Sequence, residues 1–238
     1  MATKWPRDSD GGRAVTDIFE AILLTITLAS ITTLILFVVA TPIAWWLTRS
    51  RAPWKEAVAA IVSLPLVLPP TVLGFYLLIV LGPQGPGGWI AGFWGLRTLA
   101  FSFEGLVIGS VVYSLPFMVQ PIRAAFEGIG DDMIEVAATL GASRFQSFVR
   151  VAVPIARAGF LSGAVLSFAH TLGEFGAVLM IGGNIPGETK VLSIALYQLV
   201  EHLEWEQAHL VAGGLAVFSV LVISATLILE KRLRVVPG

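Results

Sequence analysis

Residues 131–154 read DDMIEVAATLGASRFQSFVRVAVP, the one long segment of this 238-residue chain that is neither continuously apolar nor loop-like. Two helix starts are written into it. Asp132 stands three positions before Glu135, and Ser143 three before Gln146, the spacing at which one side chain caps a helix start and the other reaches back to it. Gly141 lies between them, where a left-handed residue can end the first helix and turn the chain into the second. Ile134, Ala137 and Ala138 share a face of the first helix, and Phe145, Phe148 and Val149 a face of the second. Helices this short are unstable alone, so their apolar faces need a partner.

The surrounding composition sets the fold class. Hydrophobic residues make up 56% of the chain and charged residues only 13%, against about 25% charged in soluble domains. An all-α integral membrane protein follows. With no cysteine, disulfide frameworks, thiolate metal sites and cysteine nucleophiles are all excluded. Residues 1–17 are polar and mixed in charge, and read as a retained external N-terminus rather than a cleaved signal peptide. Residues 18–238 read as a single transmembrane domain.

Residues 21–48 carry no charge, roughly 42 Å of helix, which exceeds the ~30 Å hydrocarbon core and must tilt or protrude. Pro42 predicts a kink near its far end, and Trp45 and Trp46 stand at the interface before Arg49, Arg51 and Lys55. A second uncharged run opens at Ala57 and holds Pro65, Pro69 and Pro70 at membrane depth. Each proline removes a backbone donor, so this span is broken or bent where protein or water satisfies the freed carbonyls, either along a pathway or against a neighbouring helix. Residues 82–102 are rich in glycine, proline and aromatics, an external loop able to hold a sixth span. A third span covers 105–122, with Gly105 and Gly109 at a close-packing spacing and Pro116 predicting a bend. A fourth covers 158–187 and a fifth 208–229, so five spans are the simplest count.

Lys and Arg set the orientation. Arg49, Arg51, Lys55, Arg123, Arg144, Arg150, Arg157, Lys231, Arg232 and Arg234 fall on one side; Lys4, Arg7, Arg13, Arg97 and Lys190 fall on the other. The richer side is cytoplasmic. The N-terminus is then outside, and the C-terminus and residues 131–154 are inside.

No ATP-hydrolysing loop is present in the sequence. The nearest match to a phosphate-binding loop, 182–189, places Glu188 where a lysine is needed, and a carboxylate there repels phosphate. His170 and Glu174 are the ionisable pair at membrane depth and are functional candidates for that reason. At helical spacing they are neighbours, with His170 and backbone donors able to satisfy the carboxylate. As an anion contact Glu174 has the wrong sign: like charges 4 Å apart repel by about 4 kcal/mol at an effective dielectric near 20. A gate or a helix-packing role suits it better. Anion contacts along a path are sought instead in hydroxyls such as Ser114, Ser167 and Thr171. A proton-coupled carrier using His170 and Glu174 stays open on the residues alone, as does a membrane scaffold without transport.

Glu135, Ala137, Ala138, Gly141 and Pro154 resemble the EAA signature of ABC-importer permeases, with Val136 where the first alanine is usual. LPLVLPPTVLG at 64–74 is similar to a segment of the molybdate and sulfate branch, LGEFG at 172–176 to that of oxyanion permeases, and NIPGET at 184–189 to the molybdate members. The resemblance covers nearly the whole chain from Ala21 onward and implies a type I importer permease of the inner membrane. It assigns ATPase coupling to Glu135, Ala137, Ala138, Gly141, Ser143, Arg144, Phe145 and Pro154. It places Pro65, Pro69 and Pro70 along a translocation path and matches Glu174, Phe175 and Gly176 in place; with His170 and the hydroxyls of Ser114, Ser167 and Thr171 read above, these make up the candidate path or gate. It implies a homodimer, two ATPase subunits that bind ATP and Mg, and an external binding protein, with no cofactor, metal or nucleic acid bound by this chain. Molybdate is the substrate implied, with sulfate or tungstate as the alternative.

Overall fold

The computed structural model describes residues 10–93, 95, 97–130 and 132–234. Most of the expected external N-terminus, residues 1–9, and Asp131 at the head of the 131–154 stretch lie outside the described residues. Every described regular element is helical. That is the form in which a chain this apolar satisfies its backbone groups within each segment.

Three helices are long and apolar enough to cross a membrane: Thr16–Arg49, Phe103–Glu127 and Trp205–Leu229. Two further pairs qualify if each is one bent span, Lys55–Leu66 with Pro70–Leu81 at 109° and Arg144–Ile155 with Arg157–Gly173 at 70°. In chain order the helices are α1 (Asp10–Arg49), α2 (Lys55–Ser63), α3 (Pro70–Leu81), α4 (Pro86–Gly92), α5 (Phe103–Glu127), α6 (Asp132–Thr139), α7 (Arg144–Ser147), α8 (Val153–Ile155), α9 (Arg157–Gly173), α10 (Gly176–Gly182), α11 (Leu192–Glu201) and α12 (Trp205–Arg234). A tight turn, Leu64–Leu66, follows α2, and a wide π-type turn, Phe148–Ala152, joins α7 to α8.

The prolines act differently from one span to another. α1 runs without interruption through Pro42, and α5 through both Pro116 and Pro121. The consecutive Pro69 and Pro70 do break their span, because neither can donate to the carbonyls of Pro65 and Leu66 one turn earlier. The expected fourth span, 158–187, is not one helix: α9 ends at Gly173 and α10 begins at Gly176. The expected room for a sixth span is not used. Among the described residues of 82–102 the one helix is the seven-residue α4, about 10 Å long and too short to cross. The loop instead folds back on the end of α3, where the Leu81 carbonyl accepts from the Leu99 and Ala100 amides at 3.1 and 3.2 Å and from the Thr98 hydroxyl at 3.0 Å.

By internal contacts the chain divides into two units. In the unit formed by residues 1–30, 70–110 and 171–214, α3 lies hard against α10. A Cβ at Gly74 would sit 2.8 Å from Met180 Cβ and 3.0 Å from Ala177 Cα, so only glycine permits this approach. Gly109 of the small-residue pair faces Ile181 of α10 in the same way. α11 is pinned to α1 by the buried Thr25, whose hydroxyl donates to the Ala21 carbonyl at 2.6 Å and accepts from the Leu192 amide at 2.8 Å.

The unit formed by residues 31–69, 111–170 and 215–238 carries the main apolar core. Leu36, Ala40, Ala44 and Leu47 of α1 meet Met118, Val119, Ile122 and Phe126 of α5, with Ala152 and Ala156 beside them. Such dense packing transmits displacement rather than absorbing it.

Candidate functional site

Residues 132–155 form the expected first helix, α6, and a second helical run from α7 through the π-type turn to α8; Asp132 is the first residue of α6 rather than its N-cap, while the Gly141 turn and the Ser143 cap form as read. At the end of α6 the Gly141 amide donates to the Ala138 carbonyl at 2.9 Å and the Ala142 amide to the Ala137 carbonyl at 3.0 Å. These are the two bonds of a Schellman stop, and Gly141 takes the left-handed φ of +85° it requires. Two residues on, Ser143 caps α7: its hydroxyl accepts from the Gln146 amide at 3.2 Å, and the Gln146 side chain accepts from the Ser143 amide at 3.0 Å.

The faces differ from the sequence reading. Ile134 packs on the core while Ala138 is exposed. Phe145 and Phe148 do not share a face: Phe148 packs on the core, whereas Phe145 is 74% exposed. Three helical positions leave two side chains about 60° apart, enough to put one ring inside and the other outside at the edge of a core. The apolar side chains left uncovered are Met133, Val136, Leu140, Phe145 and Val149, with Leu140 the most exposed of them at 83%. Glu135, Ser143 and Arg144 are exposed among them, as is Pro154 beyond. These side chains form an exposed apolar ridge split by the left-handed glycine turn.

The expected path residues fall into separate groups. Ser114, Ser167 and His170 lie in the unit that carries the main core, the two serines fully buried. The Ser114 hydroxyl and His170 Nδ1 are hydrogen-bonded at 3.1 Å. Phe117 stacks on the imidazole at a centroid distance of 3.9 Å, and Tyr113 meets it edge-on at 5.6 Å. Sequence reasoning missed this aromatic clamp, though Tyr113 and Phe117 stand four apart, the spacing that puts two rings on one helix face.

Thr171, Glu174, Phe175 and Gly176 belong to the other unit, with Pro70. Glu174 is not a helical neighbour of His170, because α9 has ended at Gly173. Its carboxylate accepts from the Ala177 amide at 3.1 Å, at the start of α10, and its carbonyl accepts from the Ser193 hydroxyl of α11 at 2.7 Å. A carboxylate at a helix N-terminus is favourably placed, so Glu174 organises the turn between α9 and α10. Phe175 packs on Tyr197 at 4.8 Å, and Gly176 lies against Pro70 at the start of α3. Pro65 lies in the turn after α2, with the exposed Pro69 following.

The loop at 184–189 closes on itself. The buried Thr189 hydroxyl donates to the Gly182 carbonyl at 2.6 Å and accepts from the Ile185 amide at 3.2 Å. Among the described residues no group of three His, Asp or Glu side chains is placed to hold a metal ion.

Helices long and apolar enough to cross a membrane, joined by an exposed two-helix loop, define a multi-pass membrane protein. The fold matches, at a TM-score of 0.72 and 20% identity, a chain of the bacterial alginate ABC transporter crystallised with a pentasaccharide-bound periplasmic protein, over 90% of this chain and 78% of that one. The fold is therefore that of this transporter chain. Residues 40–235 match the model of the binding-protein-dependent transport system inner membrane component. The chain is 58% identical to the molybdenum transport system permease protein ModB of Azotobacter vinelandii over 86% of this chain and 91% of that one. It is 36% identical to the ModB protein of Escherichia coli strain K12 over 90% and 93%. The chain belongs to the family of binding-protein-dependent transport system inner membrane components, which are membrane transport subunits and not themselves catalysts.

Proposed function

We propose that this chain is the permease subunit of a molybdate ABC importer. The observation that carries the substrate is the 58% identity to a molybdenum permease over most of both chains. The observation that supports the energy source is the exposed ridge around Gly141, presented where a partner can seat it. In this reading residues 18–238 are one type I importer transmembrane domain with five spans, of which the one built from α2 and α3 is bent. The N-terminus is outside, and the C-terminus and residues 131–154 are cytoplasmic.

One chain supplies one coupling loop, and two ATPase subunits need two, so a homodimer of the chain assembles with an ATPase pair. ATP and Mg are bound by that pair. An external binding protein delivers the anion. Closure of the ATPases on ATP displaces Glu135, Ala137, Ala138, Gly141, Ser143, Arg144 and Phe145 together, because the capping bonds make the two short helices one rigid hook. Pro154 marks the point where that motion enters α9 through the 70° bend. Pro65, Pro69 and Pro70 mark the path where the span is broken, and the hydroxyls of Ser114 and Ser167 with His170, and separately that of Thr171, are its candidate polar contacts. Weak contacts of this kind let an anion leave as readily as it enters. Glu174, Phe175 and Gly176 serve as a gate by fixing the turn into α10.

Co-purification tests the coupling assignment. The unaltered chain brings the ATPase with it, and Glu135→Arg or Gly141→Pro abolishes that association together with anion-stimulated hydrolysis. Intact assembly and stimulation in both variants would overturn it.

A further inference from the structure

The inward side of the coupling loop ends on aromatic rings. Phe148, which opens the wide turn after α7, lies edge-on to Trp45 of α1 at 5.0 Å. Trp45 meets Phe126 of α5 edge-on, also at 5.0 Å, and Phe126 and Phe148 close the triangle at 6.1 Å. The buried Phe126 reaches on to Phe160 of α9 at 5.8 Å. Arg49, one helical turn beyond Trp45, covers the rim: its guanidinium carbon lies 5.1 Å from the Trp45 ring centre, and Nη2 donates to the Gly130 carbonyl at 3.1 Å. Gly130, at φ +73°, is the last turn residue described before α6. A single turn of α1 therefore holds the coupling loop twice, at its entry through the Gly130 carbonyl and in its second helical run through Phe148.

The geometry points to Trp45 and Arg49 as positioning residues for energy coupling, the joint through which displacement of the 131–154 loop passes into α1 and α5. This inference rests on the coupling role of that loop proposed above. Edge-to-face rings hold a specific mutual orientation, and close-packed interiors offer no slack, so the Phe148 ring cannot shift without carrying Trp45 and Phe126. The guanidinium stacked on Trp45 ties the same unit to the loop's entry, where the backbone is otherwise only a turn. The wide turn strengthens the assignment, because π-type turns inside helices gather at sites that move or bind. Leu or Gln at these positions still fills space but loses the orientation and the tether.

The test uses the complete transporter, chain with ATPase and loaded binding protein, reconstituted in liposomes, with anion uptake measured per ATP hydrolysed. Arg49→Gln and Trp45→Leu keep the ATPase bound and keep basal hydrolysis, yet uptake per ATP falls by about tenfold. Trp45→Phe restores most of it. The Trp45→Leu/Phe126→Leu double variant is no worse than the poorer single one, as expected of residues acting as one unit. Wild-type uptake per ATP in Arg49→Gln and Trp45→Leu overturns the inference, as does a double variant whose loss is the product of the single losses. If Trp45→Leu does not accumulate, Arg49→Gln at the rim carries the test alone. Failure of the unaltered chain to bind the ATPase refutes the coupling role itself. Full coupling in the variants with the ATPase bound refutes only the joint.

Discussion

Replacing Gly141 by alanine isolates the backbone of the coupling loop from its side chains. No atom lies within 4 Å of the position a Cβ would take, so the substitution introduces no clash. What it does introduce is a φ of +85° on an L residue, at a cost of about 1–2 kcal/mol. That cost falls on the Schellman stop, whose two bonds from Gly141 and Ala142 set the angle between α6 and α7. If ATPase binding requires the two helices at this angle, 1–2 kcal/mol weakens binding by about five- to thirtyfold. The assay is titration of purified ATPase into nanodisc-held permease. Gly141→Asn is the control, because asparagine tolerates the left-handed conformation and retains most of the affinity. Equal affinities for the glycine, alanine and asparagine forms would refute the reasoning, since the turn would then not govern the docking geometry.

Phe145→Ala and Leu140→Asp alter exposed side chains, so the thermal midpoint of the detergent-solubilised chain stays within a few degrees while ATPase binding is lost; a parallel loss of stability would mean that these side chains pack internally. Gly74→Leu places a Cβ 2.8 Å from Met180, and the overpacking of α3 on α10 destabilises by about 1–3 kcal/mol or more, read as a lowered unfolding temperature with no change in ATPase affinity. Thr189→Val removes the bonds to the Gly182 carbonyl and the Ile185 amide and leaves both groups unsatisfied, at about 1–3 kcal/mol. Hydrogen exchange in 184–189 then accelerates, while exchange in α6 does not.

The helical form of residues 132–149 was legible in the sequence because that stretch contrasts with what surrounds it. In a chain that is 56% hydrophobic, a segment with paired caps and one glycine stands out, and both the Ser143 cap and the Gly141 turn formed as read. The break at Pro69 and Pro70 was legible for an equally local reason, the missing donors. The break at Glu174 was not. Residues on both sides of it are apolar, and in a membrane protein hydropathy does not change where a helix stops, so 158–187 read as one span. The flanking Gly173 and Gly176 were the available signal, together with a carboxylate better suited to a helix start than to a helix face. The separation of Phe145 from Phe148 was also hidden, since it depends on where the core of α1 and α5 ends and not on periodicity. The kink and bend that Pro42 and Pro116 suggested interrupt neither helix, because helices packed in a bundle tolerate a single missing bond.

The most direct measurement is ATP hydrolysis and anion uptake by the chain reconstituted with its ATPase and binding protein, with molybdate, tungstate and sulfate offered in turn. Molybdate-loaded binding protein is expected to stimulate hydrolysis and drive uptake that stops when the ATPase is omitted. Uptake that persists without the ATPase and collapses with the proton gradient would contradict the reading of this chain as an ATP-driven permease.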